Sequence, residues 1–196
     1  MKRRRFSFEV RPGAAVLLAG LYFLLPLRWC ARLALTVTAH ELGHVAALIL
    51  CGAEVCGLRM EGCGLALRCT PPEGALRTVM AALAGPAAGA GLFFILRGLG
   101  YAACAELSLL FSCVNLLPVL PLDGGRILLG LMTMLLGART GERIAYRISI
   151  AITVLLLIAG TVLAFNNGSK APAAAALWLM LAQRNGGAEL FKEKVC

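Results

Sequence analysis

Long apolar runs dominate the chain, and ionisable residues fall mostly between them. Residues 12–27, 78–96, 107–122 and 148–169 contain no Lys, Arg, Asp or Glu. Each comes near the length of about 20 residues that a helix needs to cross a hydrocarbon core. A fifth stretch lies between Arg32 and Ala53, interrupted only by His40, Glu41 and His44, and a shorter sixth covers 127–138. The pattern predicts an all-α polytopic membrane protein with six crossings. Residues 171–183 (APAAAALWLMLAQ) are apolar but too short to span alone, and read as an interfacial helix opening a C-terminal segment, 171–196.

One segment breaks this pattern. Residues 53–69 (AEVCGLRMEGCGLALRC) alternate short apolar runs with Gly57, Gly62 and Gly64 and carry Glu54, Arg59, Glu61 and Arg68. That predicts a small β-hairpin or sheet at the membrane surface, because strands in hydrocarbon would leave backbone groups unpaired. Cys51, Cys56, Cys63 and Cys69 cluster around it without forming a C-x-x-C pair, so the spacing does not point to a structural zinc site.

Composition identifies the solvent. The 196 residues are 60% hydrophobic and 15% charged, and their mean hydropathy is +0.83. A soluble domain of this size cannot hide so much apolar surface. The formal net charge of +9 is therefore read as membrane topology rather than as nucleic-acid binding. Lys2, Arg3, Arg4 and Arg5 make 1–11 a basic segment ahead of the first run, which predicts a cytoplasmic N-terminus and an uncleaved first helix. The whole chain, 1–196, reads as one membrane-embedded domain.

The chemistry is concentrated at His40-Glu-Leu-Gly-His44. This H-E-x-x-H pattern sets two imidazoles four residues apart on one helix face, near enough to share a metal ion, with Glu41 placed as a general base toward water. They are the only histidines in the chain. Two imidazoles and a carboxylate inside a membrane span are expensive and mark a functional site by default. A catalytic zinc site usually has three protein ligands, so the third must be a carboxylate or a thiolate. Asp123 is the only aspartate, in the stretch Asn115-Leu-Leu-Pro-Val-Leu-Pro-Leu-Asp-Gly-Gly-Arg126. Pro118 and Pro121 break the helix there, and Gly124 and Gly125 allow close backbone approach. The same carboxylate could instead cap the following helix. Glu106 lies close enough to Arg97 to be read as interfacial, and Arg139, Arg143 and Arg147 as a headgroup-facing stripe.

HELGH in one span and N-x-x-P-x-x-P-L-D-G-G some 70 residues later resemble the site-2 protease family of intramembrane zinc metalloproteases. Within it the chain is similar to the compact bacterial group that includes the stage IV sporulation protease. The resemblance runs from Val16 to Leu136. It implies one zinc ion held by His40, His44 and Asp123, Glu41 as catalytic base, and Asn115 as a substrate- or oxyanion-contacting residue. Gly85, Pro86 and Gly89 resemble the family's small-residue motif. Read independently, they form a close helix-packing surface with a local break. Pro118 and Gly124 fall in the second motif and are expected to shape the substrate site. No PDZ or CBS domain is expected in this chain. The implied partners are the lipid bilayer, a membrane-associated protein substrate such as a regulatory precursor, and a regulatory membrane protein. The implied location is a bacterial cell membrane. The alternative is a membrane zinc-binding or transport protein using the same His-His-Asp set without proteolysis. Transport has no need of Glu41, whose position beside the first ligand favours the protease.

Overall fold

The computed structural model describes residues 7–10, 19, 23, 25–53, 55–61, 64–69, 74–167 and 171–192. The chain divides into two compact units, residues 1–115 and 116–196.

The first unit contains strand β1 (Ser7–Val10), helix α1 (Leu27–Leu50), strands β2 (Val55–Glu61) and β3 (Gly64–Cys69), and helices α2 (Ala75–Gly98) and α3 (Ala102–Asn115). The strands form one sheet in the order β1-β2-β3. β2 and β3 are an antiparallel hairpin with Glu61 opposite Gly64. β1 adds to β2 in parallel, Ser7 opposite Gly57, so the basic N-terminal segment also contains a strand that its charge pattern does not announce.

α1 starts directly after Pro26, a residue suited to a helix start because it lacks the N–H that would go unpaired there. It ends in a Schellman arrangement: Gly52 takes φ +78°, and the Ala53 N–H donates to the Leu48 carbonyl at 2.9 Å. α2 ends the same way, with Gly100 at φ +83° and the Tyr101 N–H donating to the Leu96 carbonyl at 2.9 Å. In both places the glycine supplies a left-handed conformation that turns the chain back at the end of an apolar helix.

The second unit contains a non-helical segment, 116–122, then α4 (Asp123–Leu136), α5 (Ala138–Asn167) and α6 (Ala171–Lys192). A Cβ at Gly160 would stand 2.9 Å from the Ala173 nitrogen, and Gln183 bonds back to Ser149 and Thr153, so α6 runs antiparallel along α5. Residues 171–183, expected as an interfacial helix, form the first part of α6.

Among the described residues, three helices are long and apolar enough to cross a membrane: α1, α2 and α5. Two of the six expected runs differ in their bounds from the helices that form. The run 107–122 is not one helix, because α3 stops at Asn115 after 14 residues, about 21 Å of rise. Pro118 cannot donate to a helical partner and pushes its predecessor out of the helical region. The run 127–138 belongs to α4, also 14 residues, which ends at Gly137. The first run, 12–27, lies mostly outside the described residues.

Packing follows membrane rules, with large apolar side chains outside and small or polar ones between helices. Phe94 and Leu155 are exposed, whereas Ala105 and Ser108 are fully buried. Lipid is as apolar as leucine, so what holds such helices together is close contact between small residues and hydrogen bonds. Ser108 shows both, donating from Oγ to the Gly89 carbonyl at 2.8 Å where α3 meets α2.

Candidate metal centre

The buried face of α1 is the stripe Thr36, His40, His44 and Leu48, one residue every four, as a helix packing along one line requires. His40 is 2% and His44 8% exposed. Their Nε2 atoms converge to 3.1 Å. Two ligands of a tetrahedral zinc at about 2.0–2.1 Å lie roughly 3.3 Å apart, so this spacing already suits a shared ion.

The tautomer of His44 is set by α2. Its Nδ1 lies 2.8 Å from the Ala81 carbonyl, and a carbonyl only accepts, so Nδ1 carries the proton and Nε2 presents a lone pair. The carbonyl has two lone pairs and can serve both His44 and its own helix. Pro86 contributes nearby, since it leaves the Ala82 carbonyl without its helix donor and loosens this turn.

Gly85 brings α2 against the imidazoles. A Cβ there would collide with Nε2 of His44 and stand 2.8 Å from Nε2 of His40. Gly43, the fourth letter of HELGH, plays the matching part on α1: a Cβ would come within 2.5 Å of the Ala84 carbonyl oxygen. Gly89 faces α3, where a Cβ would collide with Ser112 Oγ. On the far side of His40, the Phe111 ring meets the imidazole edge-on, with centroids 5.1 Å apart. The donor chemistry, the fixed tautomer and the space left by Gly85 together fit a zinc ion. Glu41 is half-buried, and lies about 100° around the helix from its neighbour His40, so it flanks the ligand stripe.

In the second unit, Asp123 is 5% exposed and opens α4. The cap position is Leu122, which makes no side-chain cap bond, so Asp123 belongs to the first turn and is not the cap. Its Oδ1 is 3.9 Å from Nη1 of the exposed Arg126. Gly124 and Gly125 let the 116–122 segment fold onto this turn: a Cβ at Gly125 would stand 2.5 Å from the Leu120 nitrogen, and one at Gly124 would collide with the Leu116 carbonyl.

Comparison with known proteins agrees with this chemistry. Residues 75–158 match the sequence profile of Peptidase family M50. The fold is similar to that of the site-2 protease from Methanocaldococcus jannaschii, with a TM-score of 0.68 and 20% identity, covering 94% of this chain and 92% of that one. No curated protein matches by sequence. The profile match covers 84 of the 196 residues, from the start of α2 into α5. The partial family match, the shared fold and the buried histidine pair support an intramembrane metalloprotease with zinc as its metal, and do not favour the transport alternative.

Other residues singled out by sequence take varied positions. Asn115 ends α3 half-buried, its Nδ2 donating to the Phe111 carbonyl at 2.9 Å, which leaves its second amide proton for another acceptor. Pro118 is half-buried in the 116–122 segment. Glu106 is exposed and paired with Arg97 at 3.5 Å. Arg139, Arg143 and Arg147 are all exposed in the first part of α5. Sequence reading missed Gly43, the Ala81 carbonyl and Phe111. A signal for Gly43 existed in the small residues Gly43 and Ala47 set four apart on α1. A backbone acceptor carries none.

Proposed function

We propose that His40, His44 and Asp123 together hold the zinc ion of this protease, that Glu41 is its proton carrier, and that Asn115 contacts the substrate. The observation supporting this most is the converging imidazole pair, with Nε2 atoms 3.1 Å apart and one tautomer fixed by a backbone carbonyl. Asp123 suits the third position as a buried carboxylate that is not used as a cap. Zinc, when bound, polarises the scissile carbonyl and makes water acidic. The Glu41 carboxylate takes a proton from the attacking water and returns it to the leaving amine. Asn115 directs its remaining amide proton at the carbonyl oxygen as negative charge develops there, a contact worth about 2.7–4 kcal/mol when preorganised.

The test is Asp123→Ala, which is expected to lower zinc content strongly while the protein still inserts into the membrane. Unchanged metal in that variant would overturn the three-ligand set and move the third position to a thiolate.

On this reading the N-terminus is cytoplasmic, following Lys2 to Arg5, in a bacterial cell membrane. The substrate is a membrane-associated or single-span segment of a regulatory precursor, and a second membrane protein controls access. A helix hides its carbonyls in its own ladder, so the bond to be cut has to unwind first. Segments with Gly, Pro or Asn near the cleavage point open most cheaply, at about 1 kcal/mol for Gly and about 3 for Pro relative to Ala. The unwound strand can pair with β3, an outer strand of the sheet. Replacing those residues by Leu or Ala in an identified substrate is expected to slow cleavage by purified enzyme in detergent. Equal or faster cleavage would mean that the substrate arrives already extended.

A further inference from the structure

Between α5 and α6 lies a polar cluster to which the protease chemistry assigns no part. Gln183, the only glutamine in the chain, is 5% exposed, and Ser149 and Thr153, one turn apart on α5, are each 1% exposed. Burying three polar side chains between two mostly apolar helices is costly unless each is partnered. Gln183 Nε2 donates to Thr153 Oγ1 at 2.6 Å and to Ser149 Oγ at 2.9 Å, which uses both amide protons. Thr153 Oγ1 donates in turn to the Ser149 carbonyl at 2.9 Å.

One further bond leaves the helix pair. The backbone N–H of Leu120 donates to Ser149 Oγ at 2.8 Å. Leu120 stands in the non-helical segment 116–122, where a backbone N–H has no helical ladder to enter. Asp123 follows three residues later, and the fully buried Val119 precedes it. The bonds from the Val119 N–H to the Leu117 carbonyl and from the Leu122 N–H to the Val119 carbonyl shape the segment locally, and the Leu122 carbonyl accepts from the Gly125 and Arg126 N–H groups of α4, whereas the Leu120 bond reaches α5. A serine hydroxyl on a helix rotates and competes for its own backbone. The amide of Gln183 removes that freedom, because its proton occupies one lone pair of Ser149 Oγ and leaves the other facing Leu120.

We propose that Gln183 is a positioning residue for the metal centre: by orienting the Ser149 hydroxyl toward the Leu120 N–H, it fixes the 116–122 segment and so the direction of the Asp123 carboxylate. This rests on Asp123 being a zinc ligand. The same two helices also meet closely at Gly160, and Ala176, Leu179 and Ala182 of α6 are buried as well. Partners that orient a ligand commonly contribute 10–100-fold to metal affinity.

The test uses the purified full chain in detergent, stripped of metal and titrated with Co²⁺, whose visible absorption reports ligand number and geometry without any turnover. Gln183→Met keeps the length of the side chain and removes both donors. It is expected to leave membrane insertion and the unfolding midpoint of the metal-free protein unchanged, to weaken Co²⁺ binding by about tenfold with an altered spectrum, and to lower kcat with KM unchanged. Ser149→Ala, which deletes a single oxygen, is expected to do the same, and the double variant no more, because both act through one bond to Leu120. Thr161→Ala, at an exposed position on α5, should change nothing. Wild-type Co²⁺ affinity and spectrum in Gln183→Met and Ser149→Ala overturn the proposal, as do additive losses matched by equal losses of metal-free stability. If Gln183→Met does not accumulate, Ser149→Ala alone decides. Asp123→Ala separates the two readings. Wild-type Co²⁺ binding in that variant removes the ligand assignment and the positioning role with it. Loss of Co²⁺ there, with normal binding in the other two, overturns the positioning role alone.

Discussion

Glu41→Gln is expected to abolish measurable proteolysis while the protein keeps a full complement of zinc. Glutamine has the shape of glutamate, so the half-buried flank of α1 stays filled and the imidazoles of His40 and His44 keep their places. What disappears is the ability to accept a proton, since an amide oxygen near neutral pH does not. General base catalysis is worth about 10²–10⁴-fold. Here the same group also returns the proton to the leaving amine, so the loss should reach at least the upper part of that range. Metal analysis of the purified variant, run beside a cleavage assay, checks both halves of the expectation. Zinc retained with near wild-type cleavage would exclude Glu41 as the base. Zinc lost would make it part of the ligand set. The variant should also hold substrate without cutting it, which makes it the reagent for capturing the protein that this enzyme cleaves.

The helix that carries His40 and His44 is legible in the sequence because its signal is local. Four-residue spacing places His40 and His44 on one face whatever surrounds them, and the cost of burying them in a membrane span argues for function before any fold is known. The helical class is legible for a similar reason, as apolar runs of this length have few other uses. Helix ends were less legible. The charge-free run 107–122 contains no ionisable residue to mark a boundary, yet α3 stops at Asn115. Pro118 and Pro121, not charge, set that limit. Strand β1 was hidden because pairing with β2 is a long-range event, joining Ser7 to Gly57, and a four-residue strand has too few positions to show alternation.

The surroundings of the metal centre were hardest to foresee. Nothing about Ala81 in the sequence says that its carbonyl will receive a proton from His44, because every residue has such a carbonyl and only packing selects one. Gln183 lies 30 and 34 residues from Thr153 and Ser149 across a helical hairpin, and read singly each is an ordinary polar residue in an apolar helix. Gly85 stands out in the sequence for its motif and its packing, but the space it leaves beside the two imidazoles is more specific than helix contact.

Gly85→Ala is expected to cost this protein about 100-fold or more in zinc affinity, the upper end of what disturbing a ligand's surroundings does. The added methyl would occupy space now taken up by the approach of Nε2 of His44, and would stand 2.8 Å from Nε2 of His40. Neither neighbour can yield cheaply. His44 is tied to the Ala81 carbonyl at 2.8 Å, and His40 is backed by the ring of Phe111. One imidazole must therefore swing away, or α2 must retreat from α1 against the close contact at Gly43. Either movement exceeds the tolerance of about 0.5 Å within which a ligand set stays productive. Gly91→Ala is the matched control on the same helix: nothing lies within 4 Å of its added Cβ, and it should bind zinc normally while gaining up to about 1 kcal/mol in helix stability. Competition for zinc against a chelator of known affinity, applied to both variants in detergent, measures the difference directly. If Gly85→Ala binds zinc as tightly as Gly91→Ala does, the imidazoles have room that this geometry denies them, and the close approach of α2 would not be what holds the ligands in register.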